Sequence, residues 1–231
     1  MVTGPENIKP NLEKVWGRIA RACQRSGRKE TDITLVGVTK NVEPEAIQAA
    51  REAGITNFGE NYLQEARRKQ ALLSGPVVWH FIGHLQQKKT REVIERFSFI
   101  HSLDRKDLAE EINRRAGEKG IKAQVLIEVN LAGEESKSGI REESLPGLID
   151  FSRSLPHLSL IGLMTIPPPG PDPESSRPYF RRLRALREKL AGPDLPLPEL
   201  SMGMSLDLEA AVEEGATMLR VGTAIFGPRK E

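Results

Sequence analysis

Short apolar runs alternate with charged segments along most of the chain. Several runs are apolar throughout rather than at every second position, which is typical of parallel strands covered on both faces. The pattern therefore predicts a parallel sheet of eight strands. They span residues 34–40, 56–59, 77–83, 97–103, 123–130, 158–166, 198–203 and 217–222.

The segments between these runs have the composition and spacing of helices. The clearest case precedes the first strand, where Leu12, Val15, Ile19 and Cys23 recur at helical spacing within residues 10–26. A proline at position 44 suits the first residue of the next helix. Predicted helices span residues 10–26, 44–53, 63–73, 88–97, 105–118, 142–154, 174–190 and 206–214.

Eight strands, most of them followed by a helix, favour one TIM (β/α)8 barrel with an extra N-terminal helix. The chain has 231 residues, which suits a single barrel domain over residues 1–231. The proline-rich segment 165–178 is predicted to be a long loop after the sixth strand rather than a linker. A doubly wound open sheet is the main alternative, because a strand count does not determine whether a sheet closes.

Composition narrows the class of protein. Lys and Arg total 34 against 32 Asp and Glu, a net charge of +2, so the chain lacks the strong basic excess of many nucleic-acid binders. The single cysteine, Cys23, excludes an intramolecular disulfide and fits a reducing compartment. The N-terminus does not resemble a secretory signal, and no stretch approaches a membrane span. We therefore expect a cytoplasmic protein.

The first strand ends in Lys40, a residue type that rarely terminates a buried run. In a TIM barrel the functional side chains collect at the carboxyl ends of the strands. A partly desolvated lysine with a cationic neighbour loses proton affinity and can form a Schiff base with an aldehyde or ketone. The alternative is a lysine whose amine simply extends into solvent.

The C-terminal stretch "MLRVGTAIFG" suggests a phosphate site. Arg220 lies in an apolar strand and needs a partner inside the barrel. Gly222 and Thr223 begin a short segment whose N–H groups suit a phosphate, and Ser201 belongs to the end of the seventh strand, on the same side of the barrel. The alternative is that the glycines only permit tight turns.

Other polar residues are predicted at the same end of the barrel, among them Asn61 and His80. His80 and His84 have the spacing of a helical metal pair, but the strand pattern separates them and a third ligand is lacking nearby, so we predict no metal site. Tyr62 is either a proton donor or a packing residue. Lys137 belongs to a polar loop that we interpret as solvated.

Lys40 and a set of motifs that follow it along the chain resemble, in their order and spacing, the pyridoxal phosphate homeostasis protein family, also called the YggS or PROSC family. The resemblance runs from about residue 8 to the end, and Lys88 departs from the asparagine common in the family. The motifs are "FGEN" (58–61), "WHFIGHLQQKK" (79–89), "ESKSG" (135–139), "GLMTI" (162–166), "LSMGMSLD" (200–207) and "RVGTAIFG" (220–227).

The resemblance implies a barrel like the N-terminal domain of alanine racemase and the cofactor pyridoxal 5'-phosphate (PLP). Lys40 would form the internal aldimine and Arg220 would face the pyridine nitrogen. Ser201, Gly222 and Thr223 would hold the phosphate. Asn61 and His80 would lie near the ring.

An arginine beside the pyridine nitrogen makes the ring a poorer electron sink, and the chain offers no evident second acid/base group. These features favour a non-enzymatic carrier that buffers PLP and delivers it to amino acids or apo-enzymes. A PLP-dependent amino-acid racemase or a related small PLP enzyme is the alternative, and a Schiff-base aldolase without PLP is a third hypothesis. We expect a monomer that binds neither nucleic acid nor membranes.

Overall fold

Eight parallel strands pair in chain order and close into a barrel in the computed structural model, which describes residues 4–73, 75–134 and 137–228. The closure confirms the TIM barrel and excludes the open sheet. The strands are β1 (Thr34–Val38), β2 (Asn57–Glu60), β3 (Val78–Phe81), β4 (Phe99–Leu103), β5 (Ala123–Glu128), β6 (Leu158–Met164), β7 (Glu199–Ser201) and β8 (Met218–Val221).

Helices follow the strands and surround the barrel. Pro44 and Pro146 both lie in the first turn of a helix, where the missing N–H of proline costs little. The helices in the described ranges are α1 (Ile8–Ser26), α2 (Pro44–Glu52), α3 (Leu63–Leu72), α4 (Thr90–Arg96), α5 (Lys106–Glu118), α6 (Leu145–Arg153), α7 (Arg177–Leu190), α8 (Leu208–Glu213) and α9 (Thr223–Phe226).

The main core lies between the strands and the surrounding helices, as the apolar faces predict. Leu12, Val15 and Ile19 of α1 are buried in this core with residues of α8 and α9. A smaller cluster of Leu126, Met164 and Met218 is separate from it. In the described part of the chain, no helix is both long and apolar enough to cross a membrane.

The extra N-terminal helix supports the last segment of the barrel. Nδ2 of Asn11 donates to the carbonyl oxygen of Ile225 in α9 at 3.0 Å. Arg18 of α1 bonds to Glu209 of α8 and to the carbonyl oxygen of Ser205. These bonds hold the segment after β8 against the start of the chain.

Candidate functional site

Lys40 lies in a tight turn just after β1, which ends at Val38 rather than at Lys40 as predicted. The chain turns because Asn41 adopts a left-handed conformation with φ 57°, which asparagine tolerates better than most residues. The N–H of Val42 donates to the carbonyl oxygen of Thr39 at 2.9 Å and closes the turn. Lys40 is partly buried, and its Nζ lies 5.1 Å from the ring centre of Tyr62.

The start of α9 lies beside this turn. β1 and β8 are hydrogen-bonded neighbours, with Gly37 opposite Val221, so their carboxyl ends lie side by side. A small pocket is lined by both segments, including Asn41, Gly222 and Thr223. The topology therefore places the turn that contains Lys40 beside Gly222 and Thr223, two of the three predicted phosphate-binding residues, which come from the opposite end of the chain.

The backbone at the start of α9 is held by residues on both sides. The N–H groups of Ile225 and Phe226 donate to the carbonyl oxygen of Gly222, each at 2.9 Å. The N–H of Ala224 donates to Oγ of Ser205 at 3.1 Å. Thr223 is exposed, so its polar groups face solvent at the carboxyl end of β8.

Asn61 follows β2 and is held by its backbone. Its N–H donates to Oε1 of Glu60 at 2.7 Å. Its side-chain Oδ1 is buried and has no hydrogen-bond partner among the described residues. Gly83 permits the close approach of the next loop, because a Cβ at that position would lie 2.3 Å from the carbonyl oxygen of Asn61. Asn61 therefore leaves one hydrogen bond unmet in a confined place.

A hydrogen-bond network of polar side chains, most of them buried, crosses the inside of the barrel. His80 Nε2 lies 3.0 Å from Oδ1 of Asn57, and His80 Nδ1 lies 3.0 Å from Nε2 of His101. His101 Nδ1 lies 2.9 Å from Oγ of Ser201, which accepts a hydrogen bond from Arg220 at 2.5 Å. The network thus joins β2, β3, β4, β7 and β8.

The protonation states of the two histidines in this network follow from their surroundings. Burial lowers the pKa of His80 to about 3, and burial together with the charges of His80 and Arg220 lowers the pKa of His101 well below its ordinary value. Both rings are therefore neutral at neutral pH. With Asn57 as acceptor, each ring donates from Nε2 and accepts at Nδ1, and the Ser201 hydroxyl donates to His101.

Arg220 is the charged end of the hydrogen-bond network. Its second guanidinium nitrogen donates to the carbonyl oxygen of Thr165 at 2.9 Å. Burial lowers its pKa to about 10, although the negative charges of Glu128 and Asp207 oppose the change. Arg220 is therefore still protonated at neutral pH, and the bonds to Ser201 and Thr165 fix its orientation.

Glu128, at the end of β5, is a titratable group that the sequence analysis missed. Burial, together with the charge of Asp104, raises its pKa to about 7, although the charge of Arg220 opposes both. His101 was missed in the same way. The available signal in both cases was a polar residue inside an otherwise apolar run.

The remaining candidates have other partners in the structure. His84 is near Asp104, with 3.8 Å between Nδ1 and Oδ2, whereas His80 contacts His101 and Asn57. Nζ of Lys137 pairs with Oε1 of Glu134 at 2.9 Å. Glu135 and Ser136 of the motif "ESKSG" lie outside the described residues.

Comparison with known proteins gives consistent matches. Residues 11–230 match the family model for the alanine racemase N-terminal domain. The pyridoxal phosphate homeostasis protein of Aquifex aeolicus is 47% identical over 226 residues, covering 97% of this chain and 99% of the relative. The corresponding protein of Pseudomonas aeruginosa is 45% identical and covers 96% of each chain.

Solved structures match the fold as well. PipY of Synechococcus elongatus with PLP bound has a TM-score of 0.81 and 37% identity, covering 91% of this chain and 100% of PipY. Alanine racemase of Clostridium difficile has a TM-score of 0.76 at 18% identity and covers 98% of this chain, but only 58% of the racemase is matched. At that identity the racemase shares the fold alone.

Proposed function

Because this chain belongs to the pyridoxal phosphate homeostasis protein family, we propose that it binds PLP covalently through Lys40 and takes part in the homeostasis of that cofactor. The observation that carries the proposal is the convergence of Lys40 and the start of α9 at the junction of β1 and β8. The PLP-bound structure of PipY supports the choice of cofactor.

The side chains at this junction suit the cofactor by their chemistry. The Lys40 amine can form a Schiff base with an aldehyde. The N–H groups at Gly222 and Thr223 suit a phosphate, as N–H groups at helix starts do. Arg220 supplies a protonated guanidinium for the pyridine nitrogen, and the unmet acceptor of Asn61 suits a polar group of the ligand.

Two residues that the sequence predicts to contact PLP, Ser201 and His80, have an indirect role in this proposal. The hydroxyl of Ser201 is engaged by Arg220 and His101, and both ring nitrogens of His80 are engaged by His101 and Asn57. We assign both residues to the support of Arg220. Direct contact of Ser201 with the phosphate, and of His80 with the ring, stays a prediction.

A carrier fits these groups better than a racemase does. When bound, PLP can stabilise negative charge on an attached amino acid, and a protonated pyridine nitrogen strengthens that effect. Arg220 stays protonated and so disfavours a second proton on the ring nitrogen. We propose that the protein holds PLP reversibly and releases it to amines or apo-enzymes as a cytoplasmic monomer.

Racemisation is the alternative function, and it requires an acid/base group on each face of the substrate. Glu128, with a pKa of about 7, and the half-exposed Tyr62 are two groups of suitable chemistry in the described part of the barrel mouth. A panel of single enantiomers of amino acids, assayed with the PLP-loaded protein, separates the two functions. Rapid stereospecific turnover would contradict the carrier.

Borohydride reduction tests the attachment point. Purified protein is loaded with PLP, reduced, digested and analysed by mass spectrometry, with the Lys40→Arg variant treated in parallel. We expect a phosphopyridoxyl group on the Lys40 peptide of the native sequence and none on residue 40 of the variant. Modification confined to other lysines, such as Lys137, would refute the assignment.

A further inference from the structure

A buried cluster of charges lies next to the Lys40 turn. Lys69 of α3 is 4% exposed, and Glu60 at the end of β2 is fully buried. Nζ of Lys69 lies 2.6 Å from Oε2 of Glu60 and 2.6 Å from Oε2 of Glu65. Removing charges from water is costly, so such a cluster is weak evidence for stability by itself. Its contacts indicate a different role.

The cluster binds both peptide groups that flank Lys40. The third acceptor of Lys69 Nζ is the carbonyl oxygen of Thr39, at 2.6 Å. The N–H of Asn41 donates to Oε2 of Glu65 at 2.9 Å. The backbone on each side of Lys40 is therefore held by a charged side chain.

Glu60 connects this turn to the next one along the barrel mouth. Its Oε2 accepts from the Thr39 hydroxyl at 2.8 Å. Its Oε1 accepts from the N–H groups of Asn61 and Tyr62, at 2.7 Å and 3.2 Å. One carboxylate thus sets the position of the Lys40 turn relative to Asn61 and to Tyr62, whose ring faces the Lys40 amine.

The hydrogen-bonding capacity of the cluster matches this arrangement. The three N–H bonds of the Lys69 ammonium have three acceptors, and Glu60 accepts four hydrogen bonds. Burial raises the pKa of Glu65, but the bonds from Lys69 and from the Asn41 N–H, with the charges of Lys69 and Lys40, hold it below its ordinary value. Glu65 is therefore ionised at neutral pH.

We propose that Glu60, Lys69 and Glu65 are positioning residues that hold the Lys40 amine where it meets the cofactor. The proposal rests on the proposed function, because it takes Lys40 as the attachment point. Asn41 is in a left-handed conformation, so without these bonds the turn is free to relax and the amine loses its fixed place.

The main test replaces Lys69 by a neutral side chain of similar length. We expect Lys69→Met to weaken PLP binding about tenfold or more, measured by absorbance titration at a temperature where circular dichroism shows the variant folded. Arg67→Met is the control on the same helix, since Arg67 pairs with Glu92 away from Lys40. Val93→Ala, a buried change in α4, controls for lost stability.

The controls separate positioning from simple destabilisation. Both should bind PLP within about twofold of the native sequence, even though Val93→Ala melts at a lower temperature. If Lys69→Met bound PLP as tightly as Val93→Ala, the proposal would be overturned. Glu65→Gln, a milder change, should shift binding in the same direction and serves if Lys69→Met does not fold.

A second measurement does not depend on the cofactor. Amide hydrogen exchange without PLP should be slow at Asn41 and Tyr62 in the native sequence and at least about tenfold faster at Asn41 in Lys69→Met or Glu65→Gln. Unchanged exchange at Asn41 would overturn the positioning role. If exchange changed as expected but Lys40 formed no adduct, the proposed function would fail and the positioning of the turn would stand.

Discussion

The Ser201 hydroxyl lies between the protonated guanidinium of Arg220 and the neutral ring of His101, and both partners are buried. Replacing Ser201 by alanine leaves Arg220 short of one acceptor and His101 short of one donor. Buried groups left unpaired in this way cost about 2–3 kcal/mol. We expect Ser201→Ala to lower the free energy of unfolding by this amount in urea denaturation.

The matched control is Ser154→Ala at the exposed end of α6, where the hydroxyl bonds to the carbonyl oxygen of Phe151. It should change the free energy of unfolding by less than about 0.5 kcal/mol. Equal effects at the two serines would show that the hydrogen-bond network through Ser201 adds no more to the free energy of unfolding than a surface hydroxyl does.

Glu128 gives a prediction about pH. Its pKa is about 7 in the folded protein and about 4.5 when unfolded, so the folded state binds more protons between these values and stability falls as pH rises through them. His80 has the opposite effect, because its lowered pKa of about 3 costs stability as pH falls below about 6.5.

The variant Glu128→Gln isolates the carboxylate. We expect it to gain stability relative to the native sequence at pH 8, by at most about 3 kcal/mol, and to gain much less at pH 4.5, where Glu128 is protonated. Unfolding in guanidinium at both pH values measures the difference. A gain independent of pH would contradict the raised pKa.

At the scale of elements, the loop after β3 is packed tightly onto the loop after β2. A Cβ at Gly83 would lie 2.3 Å from the carbonyl oxygen of Asn61, so the two loops must separate if alanine replaces the glycine. We expect Gly83→Ala to destabilise the protein by about 1–3 kcal/mol and to weaken PLP binding, because it displaces Asn61.

Gly147 in the first turn of α6 is the matched control, since a Cβ there meets nothing within 4 Å. Gly147→Ala should be neutral or stabilise by up to about 1 kcal/mol, and PLP binding should not change. Thermal unfolding and absorbance titration of both variants test the pair. Similar results for the two glycines would mean that the loop contact does not matter.

The sequence predicts elements better than it predicts which polar side chains meet. Local periodicity is enough for the order of strands and helices, and the parallel order then places Lys40 beside Gly222. Lys69 lies in the charged run "EARRKQ" and has the pattern of a solvated residue. Its burial depends on the packing of α3 against Glu60, which no local pattern contains. His101 depends in the same way on the pairing of distant strands.

At the scale of the whole molecule, the proposed site spans the junction that closes the barrel. Lys40 follows β1, whereas Gly222 and Thr223 follow β8. A ligand that bonds to both sides binds only the closed barrel, so it stabilises the fold by mass action. At a concentration of about 100 times Kd the gain is about 2.7 kcal/mol. We expect PLP at that concentration to raise Tm by about 5–10 °C, measured by calorimetry.

Two comparisons make this shift diagnostic. Pyridoxal lacks the phosphate and at the same concentration should raise Tm much less, because it cannot use the N–H groups at Gly222 and Thr223. Lys40→Ala should keep part of the shift, since the phosphate and Arg220 contacts remain. If pyridoxal matched PLP, the start of α9 would not be the phosphate site. If Lys40→Ala kept the whole shift, the covalent link would add nothing to the closure of the barrel.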